Sequence, residues 1–379
     1  MKIGFDVAQT CGDRAGCAWF ADSLVKAMVA VAPEHHFFLY HQFGTLINES
    51  TTGGTEIVAP NVTPTFTDIT SAEAARIWAS PAELIIKTGA PDIVHANSFR
   101  APKVPGAKLI FTIYDVSFWA VPHYTTEANR LTCQHGVLQA LANADGLIFI
   151  SQNAHDEFER ILPGWLGKTQ RPWVVVPLAQ RPSEVILPTA FSHIESPYWL
   201  AVGSLEPRKN HHGLLDALAL YCKKSLRPLK LKIAGGPGWK SEELHQRIAA
   251  LTEKGVVQYL GYVPDEELPG LYAQAEALIF PSWYEGFGLP VLEAMAQGCP
   301  VICTNRTSLP EVGGNAVHYI DPTSPTAIAD AMLRVEQDSI YRTHLSSRGR
   351  IRAAGFSWES TAKLTLAFYE RVISSHPNP

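Results

Sequence analysis

The chain has 379 residues, of which 46% are hydrophobic and 18% are charged. This length exceeds what one hydrophobic core supports and suits two domains. The net charge of −5 creates no positive field for nucleic acid, so nucleic-acid binding is not expected. The chain starts with a strand-like MKIGFDV rather than a signal peptide, and no run of about 18 apolar residues is present to span a bilayer. These features predict a cytoplasmic protein.

In the first half of the chain, short apolar runs alternate with longer segments of helical periodicity. Strands are predicted at Lys2–Val7, His36–His41, Glu56–Ala59, Ile93–His95, Lys108–Ile113, Leu147–Ile150 and Val174–Val176. Helices are predicted at Ala18–Val31, Ser71–Thr88, Thr125–Ala142 and Gln152–Leu162. Alternation of strand and helix is typical of a parallel sheet with helices on both faces.

The alternation starts again after a proline-rich, aperiodic stretch. The runs YWLAVGS, LKLKIAGG, VVQYLGYV, EALIFPS, PVICT and AVHYI predict a second series of strands. Helices are predicted at His212–Lys223, Lys240–Lys254, Glu266–Gln274, Pro290–Gln297, Pro325–Gln337 and Trp358–Ser374. Two such series predict an α/β fold with two doubly wound, Rossmann-like domains.

The domain boundaries follow from this pattern. We expect an N-terminal domain over residues 1–179, a linker over 180–197 and a C-terminal domain over 198–355. The last segment, 356–379, carries an apolar stripe of Leu364, Phe368 and Val372 that requires a partner. We expect this segment to return to the N-terminal domain.

The densest chemical signal is the run FPSWYEGFGLPVLEAMAQG. It begins at the end of a predicted strand and enters a helix at Pro290, a residue suited to the first helical position. The glycines allow close approach of a ligand, and the helix N-terminus favours an anion. Glu285 and Glu293 flank this anion site. Each feature alone has an ordinary structural explanation in a turn or a helix dipole, but their combination matches the hydroxyls and phosphates of a nucleotide sugar.

A second signal, GSLEPRKN, also follows a strand and precedes a helix. It places Arg208 and Lys209 at a helix entry, where the helix dipole disfavours positive charge. Guanidinium and ammonium groups both bind phosphate oxygens. The pair therefore favours a phosphate site over a solvated charged surface.

These runs resemble the retaining glycosyltransferase family four, which has the GT-B architecture of two Rossmann-like domains facing a central cleft. The resemblance rests on SWYEGFGLPVLEAMAQGCPVI with its E-x7-E pattern, on GSLEPRKN, and on DEELPGLYAQAEALIFPS. It covers most of Leu200–Val312 and is looser in the N-terminal half. Relatives of this type build bacterial surface polysaccharides.

The resemblance implies a site for a nucleotide-sugar donor. Glu293 would bind the ribose hydroxyls, Glu285 the hydroxyls of the donor sugar, and Arg208 with Lys209 the diphosphate. The implied donor-binding set is Gly16, Tyr114, Gly203, Arg208, Lys209, Tyr262, Val263, Glu285, Gly286, Phe287, Gly288, Leu289 and Glu293.

In the N-terminal half the sequence departs from the family pattern. Tyr114 stands where the family often has His, and the loop usually written Gly-Ile-Gly reads Ala15-Gly16-Cys17. Asp115 follows a predicted strand and is a candidate acceptor-side base, although a turn or N-cap role fits it equally well. The predicted catalytic set is Glu285, Arg208, Lys209 and Asp115.

The sequence contains no Asp-x-Asp, the pattern with which many glycosyltransferases bind a metal. We therefore expect a metal-independent hexosyltransferase that needs no cofactor beyond its nucleotide-sugar co-substrate, with Arg208 and Lys209 stabilising the leaving diphosphate. A UDP-sugar is favoured as donor, with GDP-mannose next. The expected acceptor is a glycan or a lipid-linked sugar, with a loose inner-membrane association implied by analogy.

Other classes of protein remain open at this point. A nucleotide-sugar-binding protein without turnover would carry the same ligand motifs. A dinucleotide-dependent enzyme with a repeated Rossmann fold is disfavoured, because the loop after the first strand, AQTCGDRAG, lacks G-x-G-x-x-G.

Overall fold

A computed structural model describes residues 1–11, 16–44, 46–47, 53–98, 101–181 and 197–375. The chain divides into two compact units. The N-terminal unit comprises Met1–Ala120, Ala128–Ala179 and Ser357–Pro379, and the C-terminal unit comprises Val121–Glu127 and Gln180–Phe356. Most of the predicted linker, 182–196, lies outside the described residues.

Within the described residues, the N-terminal unit contains one seven-stranded sheet in which every neighbouring pair is parallel. Its strands are β1 (Lys2–Asp6), β2 (His36–Tyr40), β3 (Val62–Thr65), β4 (Ile93–Ala96), β5 (Lys108–Ile113), β6 (Gly146–Phe149) and β7 (Trp173–Val175). The strand order is β3-β2-β1-β4-β5-β6-β7. This is the doubly wound order of Rossmann-like folds.

The helices of the first half of the chain connect these strands. They are α1 (Gly16–Val31), α2 (Ser71–Ala79), α3 (Pro81–Lys87), α4 (Ser117–Ala120), α5 (Glu127–Asn143), α6 (Gln152–Ile161) and α7 (Trp165–Thr169). A buried cluster that includes Val94, Phe111, Val137, Phe149 and Phe158 forms a core of this unit.

The described part of the C-terminal unit repeats the plan with a six-stranded parallel sheet. Its strands are β8 (Tyr198–Val202), β9 (Lys230–Ala234), β10 (Val257–Gly261), β11 (Ala277–Phe280), β12 (Val301–Thr304) and β13 (His318–Ile320). The order is β10-β9-β8-β11-β12-β13. The predicted α/β fold with two Rossmann-like, doubly wound sheets is therefore confirmed.

The remaining helices begin after β8. They are α8 (His211–Lys224), α9 (Glu242–Glu253), α10 (Leu268–Gln274), α11 (Leu289–Ala296), α12 (Leu309–Gly313), α13 (Pro325–Gln337), α14 (Ser339–Ala353) and α15 (Trp358–Ser374). In the C-terminal unit, α8 and α13 pack together, and Trp199, Leu218, Ile279, Ile302 and Met332 belong to its core. No helix of the described residues is long and apolar enough to cross a membrane.

The last helix, α15, belongs to the N-terminal unit. Its Tyr369 hydroxyl lies 2.5 Å from His95 Nδ1, and its Thr361 hydroxyl donates to the Pro177 carbonyl at 2.8 Å. Of the predicted stripe, Phe368 and Val372 are buried, whereas Leu364 is 45% exposed. The buried face of α15 therefore runs through Phe368, Tyr369 and Val372.

Two local predictions differ from the structure, and the helices α4, α7, α12 and α14 were not predicted. The prediction of a strand at Glu56–Ala59 is wrong, because the edge strand of the sheet is β3, Val62–Thr65. The helix expected over Ser71–Thr88 is two helices, because Ser80 has extended backbone, caps the second helix through the Glu83 amide, and precedes Pro81. Helix α14, Ser339–Ala353, was not predicted, because its sequence is mostly polar.

The segment Val121–Glu127 belongs to the C-terminal unit, although the predicted boundary placed it in the N-terminal domain. Its backbone carbonyls are held by side chains that follow β9. Trp239 Nε1 donates to the Tyr124 carbonyl at 2.8 Å, and Lys240 Nζ donates to the carbonyls of His123 and Thr125 at 3.0 and 2.7 Å. This difference could not be read from the sequence, because backbone acceptors carry no sequence signal.

Candidate active site

The two chemical motifs meet where the strand order of the C-terminal unit reverses. Strands β8 and β11 are neighbours although they are far apart in sequence. GSLEPRKN begins at the carboxyl end of β8, and PSWYEGFGL begins at the carboxyl end of β11. In doubly wound folds this reversal is the usual place for a ligand site.

A buried ionic cluster links the two loops. Lys209 Nζ donates to Glu285 Oε1 at 2.7 Å, and Arg208 Nη1 donates to Glu285 Oε2 at 3.1 Å. Arg208 Nη2 also donates to Glu206 Oε1 at 2.9 Å. Both carboxylates are almost fully buried. The structure thus brings together Arg208, Lys209 and Glu285, which were predicted to act on one ligand.

Burial would raise the pKa of the Glu285 carboxyl, but the charges of Lys209 and Arg208 outweigh it and hold that pKa below its usual range. Glu285 is therefore ionised at neutral pH and can accept hydrogen bonds from hydroxyl groups. Its position is fixed by the backbone, since its amide donates to Thr307 Oγ1 at 3.1 Å and its carbonyl accepts from Ser308 Oγ at 2.9 Å.

Glycine is required where the Glu285 loop enters α11. Gly288 is the N-cap residue with φ of 108°, and an added Cβ would lie 2.5 Å from Leu309 Cδ2. Only glycine adopts this backbone without strain. The adjacent residues Gly286, Phe287 and Leu289 lie at the helix entry, and their contact with a donor stays a prediction. Pro290 occupies the first turn, where its missing N–H leaves no helix bond unmade.

Glu293 lies one turn into α11 and is 6% exposed. Tyr272 Oη donates to Glu293 Oε2 at 3.0 Å. Arg181 binds both oxygens: its Nε donates to Oε1 at 2.5 Å and its Nη2 to Oε2 at 3.1 Å. Arg181 Nη1 also pairs with Asp265. Arg181 and Tyr272 were not predicted, because nothing in a linker or helix sequence shows that a side chain reaches Glu293.

The other predicted donor residues of the C-terminal unit lie after strand ends. Gly203 follows β8, has φ of 143°, and an added Cβ would lie 3.3 Å from Lys209 Cε. Tyr262 and Val263 follow β10, and the Tyr262 side chain is 59% exposed. His211, the first residue of α8, is buried, and this burial lowers its pKa to about 4. The imidazole is therefore neutral next to Lys209.

The predicted residues of the N-terminal unit are placed as follows. Gly16 is the first residue of α1, and Ala15 lies outside the described residues. Tyr114 Oη accepts a hydrogen bond from Gln9 Nε2 at 3.0 Å, and its ring packs edge-on against Phe20.

Asp115 Oδ1 accepts from the Ser117 amide at 2.9 Å, which is a turn contact at the start of α4. The acceptor-side role of Asp115 stays a prediction.

Among the residues that the structure describes, no group of three or more His, Cys, Asp or Glu side chains is arranged to hold a metal ion. The positive groups next to Glu285 are the side chains of Arg208 and Lys209. Metal independence itself stays a prediction that requires an activity measurement.

Known proteins are similar to this chain in sequence. Residues 191–352 match the family model of glycosyl transferases group 1. The O-antigen chain mannosyltransferase B of Escherichia coli is 35% identical over 282 residues, which cover 73% of this chain and 74% of that protein. The MMP alpha-(1->4)-mannosyltransferase of Mycolicibacterium hassiacum is 34% identical over 180 residues, 46% of this chain and 43% of that protein.

Solved structures share the fold. Sucrose-phosphate synthase from Thermosynechococcus elongatus matches with a TM-score of 0.72 at 18% identity, covering 98% of this chain and 99% of that one. Anabaena HepE, solved with UDP and glucose, matches with a TM-score of 0.69 at 18% identity over 98% of this chain and 100% of that one. The family model and the 35% identical relative define a glycosyltransferase, and its two doubly wound sheets are those of the GT-B type. The chain belongs to the glycosyl transferases group 1 family, and the predicted resemblance is confirmed.

Proposed function

We propose that the protein transfers mannose from GDP-mannose to a growing surface-polysaccharide chain, with retention of the anomeric configuration and without a metal ion. The observation that carries the proposal is the buried cluster of Glu285 with Arg208 and Lys209 at the switch point of the C-terminal unit. The names of the relatives support mannose as the sugar. Of the two donors that the sequence left open, GDP-mannose is the one that carries mannose.

In this proposal each charged residue has a separate contact with the donor. Glu293 accepts the ribose hydroxyls, and Glu285 accepts hydroxyls of the mannosyl group. Arg208 and Lys209 bind the diphosphate together with the backbone amides of Phe287 and Leu289. Because negative charge grows on the diphosphate as the glycosidic bond breaks, these positive groups favour the transition state over the bound donor.

The N-terminal unit supplies the acceptor site in this proposal. Tyr114 and Gly16 are the proposed donor-binding residues of that unit, and Asp115 is the proposed base for the acceptor hydroxyl. The acceptor is a glycan or a lipid-linked sugar. Its lipid would bring the protein to the inner membrane from the cytoplasm.

The first experiment is a thermal-shift titration of the purified protein with GDP and UDP, each with and without EDTA. A ligand at 100 times its Kd adds about 2.7 kcal/mol, which corresponds to a few degrees in a protein of this size. We expect GDP to raise Tm equally with and without EDTA. Glu293→Ala should greatly reduce the shift, whereas the exposed Glu242→Ala, on α9, should keep it. A shift with UDP alone would overturn the choice of base.

The reaction itself is tested with GDP-mannose and a short mannose oligosaccharide on a hydrophobic aglycone. NMR of the product reports the anomeric configuration. An inverted product would contradict retention, and activity lost in EDTA and restored by manganese would contradict metal independence. GDP-mannose binding without transfer or hydrolysis, over several acceptors, would instead favour a binding protein without turnover.

A further inference from the structure

Arg181 binds the carboxylate of Glu293, the residue that we propose as the ligand of the donor's ribose. Both oxygens of Glu293 accept from its guanidinium, at 2.5 and 3.1 Å. Oε2 also accepts from the Tyr272 hydroxyl at 3.0 Å. Burial raises the pKa of that hydroxyl well above its usual value, so it stays a donor. With two sides of Glu293 occupied and the residue 6% exposed, little of the carboxylate is open to another ligand.

The guanidinium and a ribose diol compete for the same edge of a carboxylate. An arginine binds with two parallel N–H donors, one to each oxygen. A vicinal diol binds in the same manner, with one O–H to each oxygen. Since Tyr272 donates from within the protein, the edge held by Arg181 is the one that a ribose would need. The two ligands therefore exclude each other.

Arg181 is placed so that it can release Glu293 and stay nearby. It lies in neither a helix nor a strand, so that moving its side chain disrupts no backbone ladder. Its Nη1 pairs with Asp265, which follows the residues Tyr262 and Val263 after β10. Asp265 can therefore retain the guanidinium after the bond to Glu293 breaks.

We propose that Arg181 competes with the ribose of the donor for Glu293, and thereby lowers the affinity of the free enzyme for nucleotides. The proposal rests on the proposed role of Glu293. Donor binds only the fraction of molecules in which Arg181 has left Glu293, and the apparent Kd rises in inverse proportion to that fraction. Arg181 acts as a gate, since its contact must break before the ribose can bind.

The test measures Kd by calorimetry for GDP and for 2′,3′-dideoxy-GDP, which lacks the competing hydroxyls. Arg181→Ala should lower the Kd for GDP roughly fivefold, because the competing state is removed. It should leave the Kd for the dideoxy nucleotide unchanged. Arg181→Lys should give an intermediate Kd for GDP, because an ammonium cannot bind both oxygens in parallel. Arg247→Ala, which removes an arginine paired with Asp216 at 2.6 Å, serves as the matched control and should behave like wild type.

The dideoxy comparison separates competition from a loss of structure. A structural effect of Arg181→Ala would change both nucleotides alike, and that result would overturn the gate. Weaker GDP binding in Arg181→Ala would also overturn it, and would make Arg181 a ligand of the donor. The proposed function is judged separately by Glu293→Gln. Suppose that Glu293→Gln loses affinity for GDP while Arg181→Ala leaves that affinity unchanged. The proposed donor site is then supported, and the proposed gate is contradicted.

Discussion

At the scale of single residues, the site is built from buried carboxylates that are paired with cations. Glu285 is 5% exposed and Glu293 6% exposed. A buried carboxylate is costly unless cations and hydrogen bonds compensate it. Lys209 and Arg208 compensate Glu285, and Arg181 compensates Glu293. In the proposed function the donor would exchange partners with these ion pairs, so each cation would influence affinity as well as chemistry.

A different buried group, His95, makes stability depend on pH. Burial lowers the pKa of His95 to about 3, and its two ring nitrogens lie 2.5 and 2.6 Å from the hydroxyls of Tyr369 and Thr112. The unfolded chain binds a proton at about pH 6.5, whereas the native state does not bind it until about pH 3. The contribution of neutral His95 to the free energy of unfolding is therefore fully present above about pH 6.5. It decreases as the pH falls towards 3. At pH 5 the loss is about 2 kcal/mol.

The measurement compares His95→Gln with wild type by calorimetric unfolding at pH 7 and pH 5. We expect the variant to lose less stability between the two pH values than wild type does. The measurement at pH 7 gives the cost of the substitution itself. An equal decrease in both proteins would show that His95 is not the titrating group.

At the scale of elements, helix α15 packs against the rest of the N-terminal unit through one face only. Phe368 is 2% exposed and Val372 1% exposed, whereas Leu364, one turn before Phe368, is 45% exposed. Gly146 on β6 allows this packing, because an added Cβ there would lie 2.8 Å from Phe368 Cζ. The helix completes the core of the N-terminal unit by close approach to the sheet.

Substitutions on the two faces of α15 should therefore differ. Phe368→Ala should cost about 3–5 kcal/mol of unfolding free energy, since it removes a buried aromatic ring from a packed site. Leu364→Ala should cost about 1 kcal/mol or less, because much of its surface is exposed. Urea denaturation of both variants is the check. Similar losses would mean that α15 does not pack through the face described above.

The sequence predicted elements where local signals and tertiary structure agree. The strand Lys108–Ile113 and the helix Pro325–Gln337 match the structure at both ends, because strong apolar patterns and a Pro at the helix start define them. The Glu56–Ala59 prediction failed because its apolar residues resemble a short strand, while the observed β3 pairs through the less regular Val62–Thr65. Edge strands carry weak patterns, since only part of their surface is buried.

The residues of the site also differ in whether a local sequence signal reveals them. Glu285, Arg208 and Lys209 could be predicted because each lies in a local motif at a strand end. The hydrogen bonds of Arg181 to Glu293 join residues that are 112 positions apart in sequence, and only the folded chain brings them together. The Val121–Glu127 segment is similar, because Trp239 and Lys240 hold its backbone carbonyls rather than its side chains.

At the scale of the whole molecule, each unit has a sheet and a core of its own, and all the predicted donor residues except Gly16 and Tyr114 lie in the C-terminal unit. A ligand stabilises the cooperative unit that binds it, and leaves another unit unaffected where the two unfold separately. If most of the donor's binding energy arises at Glu285, Glu293 and Arg208, protection by a nucleotide should concentrate in the C-terminal unit.

Hydrogen exchange with and without GDP measures this distribution. At 100 times its Kd, GDP should slow exchange about 100-fold for amides in β8 and β11 that exchange through unfolding of their unit. Amides in β1 and β4 should slow far less. Glu293→Ala with the same GDP concentration is the control and should show much less slowing in β8 and β11 than wild type does. Equal slowing in both sheets of wild type would show that the units unfold together, or that the N-terminal unit supplies as much of the binding energy as Glu285 and Glu293 do.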